Sequence, residues 1–486
     1  MKEIISNTNI SKLFPYQLDG VEFLTQTKRS LLADDMGLGK TVQSIMASEM
    51  LGKKILVVCP ASLKRNWQRE FNFWAPSKTV QVIDGDRRAR KSQLASKNDV
   101  YILNWELVRL KDEGVFYVLN MLKKMKFDVV IMDEAHKLKN RKSQTSKSCK
   151  DLAKAIPNVI LLTGTPFMNK PDELWSLLNI LDSKKFSSYW KFVEEFCHLN
   201  FNGFAKEVGG LKFEKKESLK KLLAPHMLRR TKMKVLADMP EKMVQKIYLP
   251  LDSNQKTIYK EMAKDMYTKI NEEVVSASVV IAQITRLKQI TIDPTLMLSP
   301  TDLSPLSGKK MEVILGIIED LADKKVVIFS QFATACKRIH MTLQNAKYQG
   351  CILTGSNSSG ERDYAVQKFQ NDPDCQYLVV STLAGGVGLT LTAASTAIFV
   401  DKYWTPAINS QAQDRLHRVG QKEPVTIIEL LAEQTIEEGI EEMLTKKYDQ
   451  FQALFSTDDF ETLDSRSDID ITEIKNLLKF GIGSNI

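Results

Sequence analysis

Gly39, Lys40 and Thr41 end the stretch "LLADDMGLGKT" in the order that closes a phosphate-binding loop. In such a loop, backbone N–H groups and the lysine neutralise the phosphates of a nucleotide, and the threonine hydroxyl binds Mg²⁺. The pattern G-x-x-x-x-G-K-[ST] requires a first glycine where this chain has Asp34. The stretch therefore predicts a nucleotide site, and a chance Gly-Lys-Thr at a helix start is the alternative.

Two adjacent carboxylates strengthen the nucleotide hypothesis. In "VVIMDEAH", Asp133 and Glu134 follow a buried strand, where Asp133 could hold Mg²⁺ and Glu134 could polarise an attacking water. His136 is predicted to couple this site to neighbouring motifs, and the hydroxyl residues of "LLTGTP" (161–166) to sense the nucleotide. Each string alone is compatible with an ordinary end of a strand, but their order favours a hydrolytic site.

The second half of the chain supplies a possible complement. The glycine-rich turn in "STLAGGVGLTLTAA" contains Gly386 and Gly388, which would let the backbone approach a phosphate closely. In "QAQDRLHRVGQ" we predict a helix that places Arg415 and Arg418 on the same side, one turn apart. These planar cations could act as arginine fingers on a γ-phosphate held by the first half. A pair of arginines on a helix surface is the alternative.

Short β-branched apolar runs are the elements that must position these residues. Uninterrupted runs of this kind are typical of strands buried on both faces of a parallel sheet, and the helical patterns between them indicate βαβ crossovers. Besides "RSLLAD" before the loop, the runs are "KILVVCP", "DVYILN", "FDVVIMDE" and "NVILLTGT", then "KKVVIFSQF", "YQGCILTG", "CQYLVVST", "STAIFVD" and "VTIIELL". Each half is therefore predicted to be an α/β layer structure.

The patterns also predict a domain organisation. Residues 1–183 would form the first α/β domain and 306–455 the second. Between them, 184–305 has mostly helical periodicity and ends in a Pro/Ser-rich linker, so we predict a helical insertion there. Residues 456–486 are predicted to be an acidic segment followed by a short helix.

Charge and cysteine usage narrow the class of protein. The 486 residues contain 68 Lys and Arg against 59 Asp and Glu, a net charge of +9, and the excess is clustered. Residues 205–248 hold twelve basic and five acidic residues, and 137–150 hold six basic residues and no acidic one. Clustered positive charge fits a polyanion such as nucleic acid, or else solvated helix faces. Six scattered cysteines without a C-x-x-C pair argue against a zinc site and favour a reducing cytoplasm. Separately, we expect the protein to come from a prokaryotic or phage-infected cell.

Taken in order, these motifs resemble those of the Swi/Snf-type ATPases of helicase superfamily two. The matching strings are "FPYQLDGVEFL", "DDMGLGKT", "VVCPASLKRNWQREF", "DEAH", "LLTGTP", "VVIFSQF", "STLAGGVGLTLTAA" and "QAQDRLHRVGQ". The resemblance covers about residues 13–454 and explains Asp34, because the loop of this family typically reads D-[ED]-M-G-L-G-K-T. The compact chain looks most similar to the HepA-related, fork-remodelling branch.

The resemblance implies a fold and a set of roles. It implies two RecA-like parallel-sheet lobes in tandem with a helical insertion between them, to which "MLRRTKMKVLADMPEKM" (227–243) would belong, and ATP in the cleft between the lobes. Members of the family track along duplex DNA, usually without separating its strands. The implied catalytic residues are Lys40, Asp133, Glu134, Arg415 and Arg418. The implied nucleotide-binding residues are Gln17, which would read adenine, Asp35, Met36, Gly37, Leu38, Gly39, Lys40, Thr41, Gly386 and Gly388, with Thr41 and Asp133 on Mg²⁺.

The sequence therefore predicts a DNA-dependent ATPase that uses ATP and Mg²⁺. It is expected to move on, or remodel, duplex or branched DNA through backbone contacts, as a monomer and with no membrane partner. Three alternatives stay open. They are a strand-separating DNA or RNA helicase, a motor subunit of a nuclease or modification complex, and a DNA-binding protein whose nucleotide site has lost its activity.

Overall fold

The structure is a computed structural model that describes residues 9–111, 114–166, 171–201, 206–236, 239–272, 277–298, 304–385 and 389–455. The chain divides into two compact units, Met1–Ala237 and Asp238–Ile486. Within the described ranges, no helix is both long enough and apolar enough to cross a membrane.

A seven-stranded parallel sheet organises the described part of the first unit. Its strands run in the order β3-β4-β2-β5-β6-β1-β9. They are β1 (Arg29–Leu32), β2 (Ile55–Cys59), β3 (Val80–Val82), β4 (Val100–Asn104), β5 (Val129–Asp133), β6 (Asn158–Leu162) and β9 (Met227–Leu228), and an antiparallel hairpin is formed by β7 (Cys197–Phe201) and β8 (Lys206–Leu211). Strands β2 and β6 are buried along their whole length, because helices cover both faces of the sheet.

The helices of this unit mostly connect successive parallel strands. They are α1 (Pro15–Thr27), α2 (Lys40–Leu51), α3 (Lys64–Trp74), α4 (Arg87–Ala95), α5 (Trp105–Val108), α6 (Tyr117–Lys124), α7 (Gln144–Lys154), α8 (Glu173–Leu181), α9 (Tyr189–Phe196), α10 (Lys216–Leu223) and α11 (Lys232–Val235), with 3₁₀ turns at Ile10–Lys12, Ala61–Leu63, Ala135–Leu138 and Phe213–Lys215. Helix α2 follows the loop of the "GKT" motif directly, as its sequence pattern predicts.

The second unit repeats this architecture around a six-stranded parallel sheet. The strand order is β10-β15-β14-β11-β13-β12 within the described residues. The strands are β10 (Lys242–Leu249), β11 (Val326–Ser330), β12 (Gly350–Leu353), β13 (Tyr377–Ser381), β14 (Thr396–Phe399) and β15 (Val425–Ala432). The helices are α12 (Ser253–Glu272), α13 (Ala277–Ile292), α14 (Thr295–Leu298), α15 (Lys309–Leu321), α16 (Ala333–Asn345), α17 (Ser359–Asn371), α18 (Thr382–Gly385), α19 (Pro406–Gln413) and α20 (Ile436–Phe455).

Two apolar cores cover the two faces of this second sheet, and a third joins α12, α13 and α20. Ile328 and Ile398 point into one core, whereas Val327 and Phe329 point into the other, as the alternation of side chains along a strand requires. Tyr259, Leu287 and Ile440 belong to the third, helical core. The prediction of two α/β parallel-sheet lobes is confirmed.

The structure differs from the sequence prediction between residues 184 and 305. That range was predicted to be mostly helical, yet β7, β8, β9 and β10 all lie within it. Strand β9 adds to the first sheet and β10 to the second, so the start of the 227–243 segment is sheet edge rather than helical insertion. The local signal was weak because β9 has two residues and β10 is largely exposed, so neither contains a buried apolar run. The predicted domain limits at 183, 305 and 455 stay predictions, and residues 456–486 lie outside the described ranges.

The six cysteines are mostly internal. None of the six forms a disulfide, and all but Cys351 are buried. Cys336 and Cys375 belong to the two cores of the second sheet, where they pack as small apolar residues.

Candidate active site

The order of the strands in the first unit brings the predicted motifs to one edge of the sheet. Strand β6 lies between β1 and β5, and all three run parallel. Their carboxyl ends therefore lie side by side, where α/β sheets bind their ligands. The loop after β1 contains Lys40 at its end, β5 ends at Asp133, and β6 leads to Thr163 and Gly164.

The loop between β1 and α2 has the backbone of an anion-binding turn. Gly37 and Gly39 have φ values of +87° and +75°, in the left-handed region that favours glycine. A Cβ at Gly39 would lie 2.4 Å from Nε2 of Gln17. Helix α2 begins at Lys40, so its first N–H groups have no acceptor inside the helix and face the loop. This arrangement can receive phosphate oxygens.

Lys40 is folded onto its own loop. Its Nζ donates hydrogen bonds to the carbonyl oxygens of Asp34 (2.7 Å) and Asp35 (3.1 Å). Burial lowers the pKa of Lys40, and the nearby carboxylates of Glu134, Asp34 and Asp133 oppose that shift. A desolvated ammonium beside a free helix N-terminus is suited to a polyphosphate.

The two acids of "DEAH" lie at the end of β5 as predicted, and their environments differ. Asp133 accepts hydrogen bonds from Nε1 of Trp67 (2.9 Å) and from the backbone N–H of Glu134 (2.9 Å). Burial and the adjacent Glu134 charge raise the pKa of Asp133 to about 6, while Trp67 and Lys40 oppose the rise. Two carboxylates that repel each other in a buried place favour a divalent cation.

His136 connects this strand end to the next one. Its Nδ1 lies 3.1 Å from Oε2 of Glu134 and 3.4 Å from Oγ1 of Thr163. Thr163 Oγ1 in turn accepts a hydrogen bond from the N–H of Thr165 (3.1 Å). Glu134 itself has φ +55°, an uncommon conformation for a residue other than glycine. The contacts support the predicted coupling of the "DEAH" and "LLTGTP" motifs by His136, whose role stays a prediction.

The remaining predicted loop residues surround Lys40 and its neighbours. Gln17 is buried, and its Nε2 donates to the carbonyl oxygen of Leu38 (3.3 Å), so helix α1 holds the loop from one side. Met36 lies against Gly164, since a Cβ added at Gly164 would be 2.9 Å from Cγ of Met36. The same Cβ would be 3.7 Å from Nζ of Lys40. Thr41 is partly exposed in the first turn of α2. The contacts of Gln17 place it beside the loop, and adenine recognition by it stays a prediction.

Two contributions to this site were missed by the sequence analysis. Trp67, within the quoted string "LKRNWQREF", donates to the metal-binding candidate Asp133 across 66 residues of chain. Asp34, noted only as a missing glycine, is fully buried and paired with Arg230 at 2.5 Å. Neither Trp67–Asp133 nor Asp34–Arg230 can be recognised from local sequence periodicity. A carboxylate in place of the first glycine of the loop did indicate that a cationic partner is required if the position is buried.

In the second unit, the structure corrects the setting of the predicted arginine fingers. Helix α19 ends at Gln413, so Arg415 and Arg418 lie in the turns that follow it and not on a helix. These turns form because Leu416 is drawn into the core and Gln421 Nε2 is bound to the carbonyl oxygen of Ala394 (2.9 Å).

Both arginines nevertheless contact the segment that follows the glycine-rich turn. Arg418 Nη1 donates to Oγ1 of Thr390 (2.9 Å) and to the carbonyl oxygen of Leu389 (3.2 Å). The carbonyl oxygen of Arg415 accepts from the N–H of Leu391 (3.0 Å). Gly386 and Gly388 lie outside the described residues, so their predicted role in phosphate contact stays a prediction.

The residues of the first unit fit MgATP. Gly37 and Gly39 both have positive φ, a Cβ at Gly39 would collide with Gln17, and Lys40 follows directly at the start of α2. Thr41 and Asp133 offer the hydroxyl and carboxylate oxygens that Mg²⁺ prefers. These donors match a nucleoside triphosphate with its magnesium ion in charge and in chemical type.

Comparison with known proteins agrees with this geometry. The model of the SNF2-related domain matches residues 16–296, and that of the helicase conserved C-terminal domain matches 309–420. A Caenorhabditis elegans "SWI/SNF-related matrix-associated actin-dependent regulator of chromatin subfamily A-like protein 1 homolog" is 31% identical over 96% of this chain and 65% of its own length. The Bacillus subtilis "putative ATP-dependent helicase/translocase YwqA" is 31% identical (90% and 48%), and the human "DNA annealing helicase and endonuclease ZRANB3" is 30% identical (90% and 40%).

Among solved structures, the Sulfolobus solfataricus SWI2/SNF2 ATPase core in complex with dsDNA is 29% identical, with 96% of this chain and 94% of that chain covered and a TM-score of 0.43. The chain spans between 40% and 65% of the length of these three curated relatives. Since the SNF2-related model alone matches more than half of its residues, and the helicase C-terminal model follows directly, the chain belongs to the SNF2 family of ATP-dependent helicase-like proteins.

Proposed function

We propose that this protein is a DNA-stimulated ATPase that couples hydrolysis to movement on, or remodelling of, duplex or forked DNA. The observation that carries the proposal is the convergence of Lys40, after β1, with Asp133 and Glu134, at the end of β5, on the two sides of β6 in a chain of the SNF2 family. Groups that bind phosphates and a carboxylate that orients the attacking water are two of the parts that recur in sites of nucleotide hydrolysis.

Each residue of the first unit has a defined task in this proposal. The N–H groups at the start of α2 and the Lys40 ammonium bind the β- and γ-phosphates, and Gln17 reads adenine. Thr41 and Asp133 hold Mg²⁺, which when bound neutralises charge on the phosphates. Glu134 accepts a hydrogen bond from the attacking water, and His136, 3.1 Å away, orients that carboxylate.

Arg415 and Arg418 complete the proposed mechanism from the second unit. A guanidinium is planar and permanently charged, so it can stabilise the charge that develops on the transferred phosphoryl group. The proposed task of these arginines is to act on the γ-phosphate when ATP is bound. Gly386 and Gly388 would allow the backbone nearby to approach the nucleotide.

Duplex DNA is the proposed partner because the first unit has a cluster of basic residues and because a related protein is named for its action on DNA. Arg141, Lys147 and Lys150 line one pocket of the first unit, within the basic stretch 137–150. The human relative is named a "DNA annealing helicase and endonuclease". Binding through phosphates gives affinity with little sequence preference and a strong dependence on salt.

Steady-state ATP hydrolysis tests the proposal directly. It should be measured without nucleic acid, then with single-stranded DNA, duplex DNA, forked DNA and RNA, with Lys40→Ala as the inactive control. We expect strong stimulation by duplex or forked DNA and no stimulated activity in Lys40→Ala. Absence of hydrolysis with every nucleic acid would contradict the proposal and favour a binding protein or a motor that requires a partner.

A strand-separating helicase and a motor subunit of a nuclease or modification complex are the alternatives. Unwinding of a tailed duplex under ATP would favour the first, whereas displacement of a third strand from an intact duplex would favour translocation. Co-purification of a nuclease or a modifying enzyme with the native protein would favour the second.

Replacing Trp67 with phenylalanine should weaken Mg²⁺ binding without removing the catalytic groups. The indole N–H that donates to Asp133 Oδ2 at 2.9 Å would be lost, so that carboxylate would be less well oriented. Loss of such a supporting hydrogen bond typically lowers metal affinity ~10- to 100-fold. The measurement is the Mg²⁺ concentration that gives half-maximal ATP hydrolysis at saturating DNA.

Trp74→Phe is the matched control for this variant. Trp74 lies on the same helix, and its Nε1 donates to Glu70 at 3.1 Å, away from the site. We expect its Mg²⁺ requirement to equal that of the wild type. If Trp67→Phe and Trp74→Phe have the same Mg²⁺ requirement, Trp67 does not support the metal ligand.

A further inference from the structure

The residue that replaces the first glycine of the phosphate-binding loop is held by a cation from a distant part of the chain. Asp34 is fully buried, and Arg230 makes three hydrogen bonds to its carboxylate. The backbone N–H and Nε of Arg230 donate to Oδ1 at 3.0 Å each, and Nη2 donates to Oδ2 at 2.5 Å. This is a two-pronged guanidinium–carboxylate pair with an additional backbone donor, a geometry that fixes the orientation of both groups.

Arg230 also contacts the elements on either side of the loop. Its Nη2 donates to Oε1 of Gln43 (2.7 Å) in helix α2, and Gln43 Nε2 returns a bond to Asp34 Oδ2 (3.3 Å). Its Nη1 donates to the carbonyl oxygen of Tyr16 in helix α1. The start of the loop, the helix after it and the helix that contains Gln17 are therefore joined by one guanidinium.

Backbone pairing places Arg230 at this position. Strand β9 pairs with β1, and the ladder continues beyond the strands, because Ala33 N–H donates to Leu228 O (2.7 Å) and Asp35 N–H to Arg230 O (2.9 Å). The following residues repeat the pattern on Asp35, whose carboxylate accepts from the N–H of Lys232 (3.1 Å) and from Arg229 Nη1 (3.4 Å). The first residues of the loop are thus an extension of the sheet edge.

The charge of Asp34 makes this pairing relevant to nucleotide binding. A buried carboxylate without a partner is strongly unfavourable, and here it would lie beside a loop that receives phosphates. Asp34 is also near enough to Lys40 to influence the pKa of that lysine. Without Arg230, the carboxylate of Asp34 would repel the phosphates and would compete with them for the Lys40 ammonium. The start of the loop at residue 34 would also no longer be fixed.

We propose that Arg230 is a positioning residue of the nucleotide site, which neutralises Asp34 and fixes the loop 34–39 between α1 and α2. The inference depends on the proposed nucleotide function for its binding test, but the fixing of the loop can be observed without any nucleotide. In this chain the Asp34–Arg230 pair takes the place of the first glycine of G-x-x-x-x-G-K-[ST] and determines the backbone path at the start of the loop.

The test compares Arg230→Gln with Arg29→Gln in the full-length chain. Arg29 begins strand β1, at the end opposite to Asp34. Among the described residues it donates to backbone carbonyl oxygens, those of Leu181, Ala153, Ile156 and Ile180. Both variants lose a largely internal arginine of the first unit, so both should lower the thermal unfolding midpoint. Two further quantities separate them, namely the Kd for a fluorescent ADP with Mg²⁺ and the amide hydrogen exchange of residues 33–42 without nucleotide.

We expect Arg230→Gln to raise the Kd ~10-fold or more and to increase exchange of the loop amides, whereas Arg29→Gln should leave both within about twofold of the wild type. Adding Asp34→Asn to Arg230→Gln should recover most of the lost affinity, since the unpaired carboxylate is then removed. Arg230→Lys, which keeps the charge but not the forked geometry, should give an intermediate Kd and serves if Arg230→Gln does not fold.

Equal effects of Arg230→Gln and Arg29→Gln on Kd and exchange, or strictly additive effects of the two substitutions in the double variant, would overturn the proposal. If the wild type itself binds no nucleotide, the proposed function fails while the exchange data still decide the positioning role. In that case, loop exchange that is the same in Arg230→Gln and Arg29→Gln overturns it.

Discussion

Replacing Arg418 with alanine is expected to slow DNA-stimulated ATP hydrolysis by ~10³-fold or more. The effect is large because an arginine finger acts on the charge that develops in the transition state and adds little to ground-state binding. The Kd for DNA and the Kd for ATP should therefore change much less than kcat. Steady-state hydrolysis at saturating duplex DNA, together with DNA and nucleotide binding, measures the separation.

The environment of Arg418 makes it suited to this role. Its guanidinium is anchored by Thr390 Oγ1 and the carbonyl oxygen of Leu389, just beyond the glycine-rich turn. These partners hold one edge of the guanidinium through Nη1. Arg418→Lys should recover little activity, because an ammonium lacks the planar fork.

Lys324→Ala serves as the control within the second unit. Lys324 is exposed and pairs with Glu423 at 3.3 Å on the surface, so its loss should leave kcat unchanged. Hydrolysis by Arg418→Ala within a few-fold of the wild type would exclude Arg418 as an arginine finger.

Replacing Glu134 with glutamine is expected to lower kcat by ~10²- to 10⁴-fold, the usual contribution of a general base. Glutamine keeps the size of the side chain but cannot accept the proton of the attacking water. Because the Glu134 charge raises the pKa of Asp133, its removal lowers that pKa toward the ordinary value, and Mg²⁺ binding should be retained. The variant should therefore bind MgATP and release almost no phosphate.

Single-turnover hydrolysis and equilibrium binding of MgATP separate these two effects. Asp151→Asn is the control, because Asp151 pairs with Lys123 at 2.9 Å on the surface of the same unit and has no contact with the site. Its hydrolysis should match the wild type. Loss of MgATP binding in Glu134→Gln, or retention of its hydrolysis, would contradict the role assigned to Glu134.

The local sequence alone predicted much of the first and second sheets. Runs such as "ILVVC" and "VVIFS" became strands β2 and β11, because a chain segment with no polar face can be satisfied only where helices cover both sides of a sheet. The loop ending in Lys40 and the pair Asp133–Glu134 could also be predicted from the local sequence. Their chemistry depends on residue type and spacing within a few positions, which a sequence shows directly.

Predictions from the sequence were wrong where the local structure depends on packing against distant residues. The helix predicted to present Arg415 and Arg418 ends at Gln413. Burial of Leu416 and the hydrogen bond from Gln421 Nε2 to the carbonyl oxygen of Ala394 outweigh the local helical preference. The edge strands β9 and β10 were missed because pairing with β1 and β15 specifies them, and their own residues are short in number or exposed.

What the sequence determined by itself was therefore the class of fold, the two-part organisation and the chemical groups of the site. What only the tertiary structure decided was which groups meet. Strand β6 is placed between β1 and β5, Trp67 reaches Asp133, and Arg230 reaches Asp34 across 196 residues. Contacts of that range depend on strand order and edge pairing, and no periodicity within a window of residues encodes them.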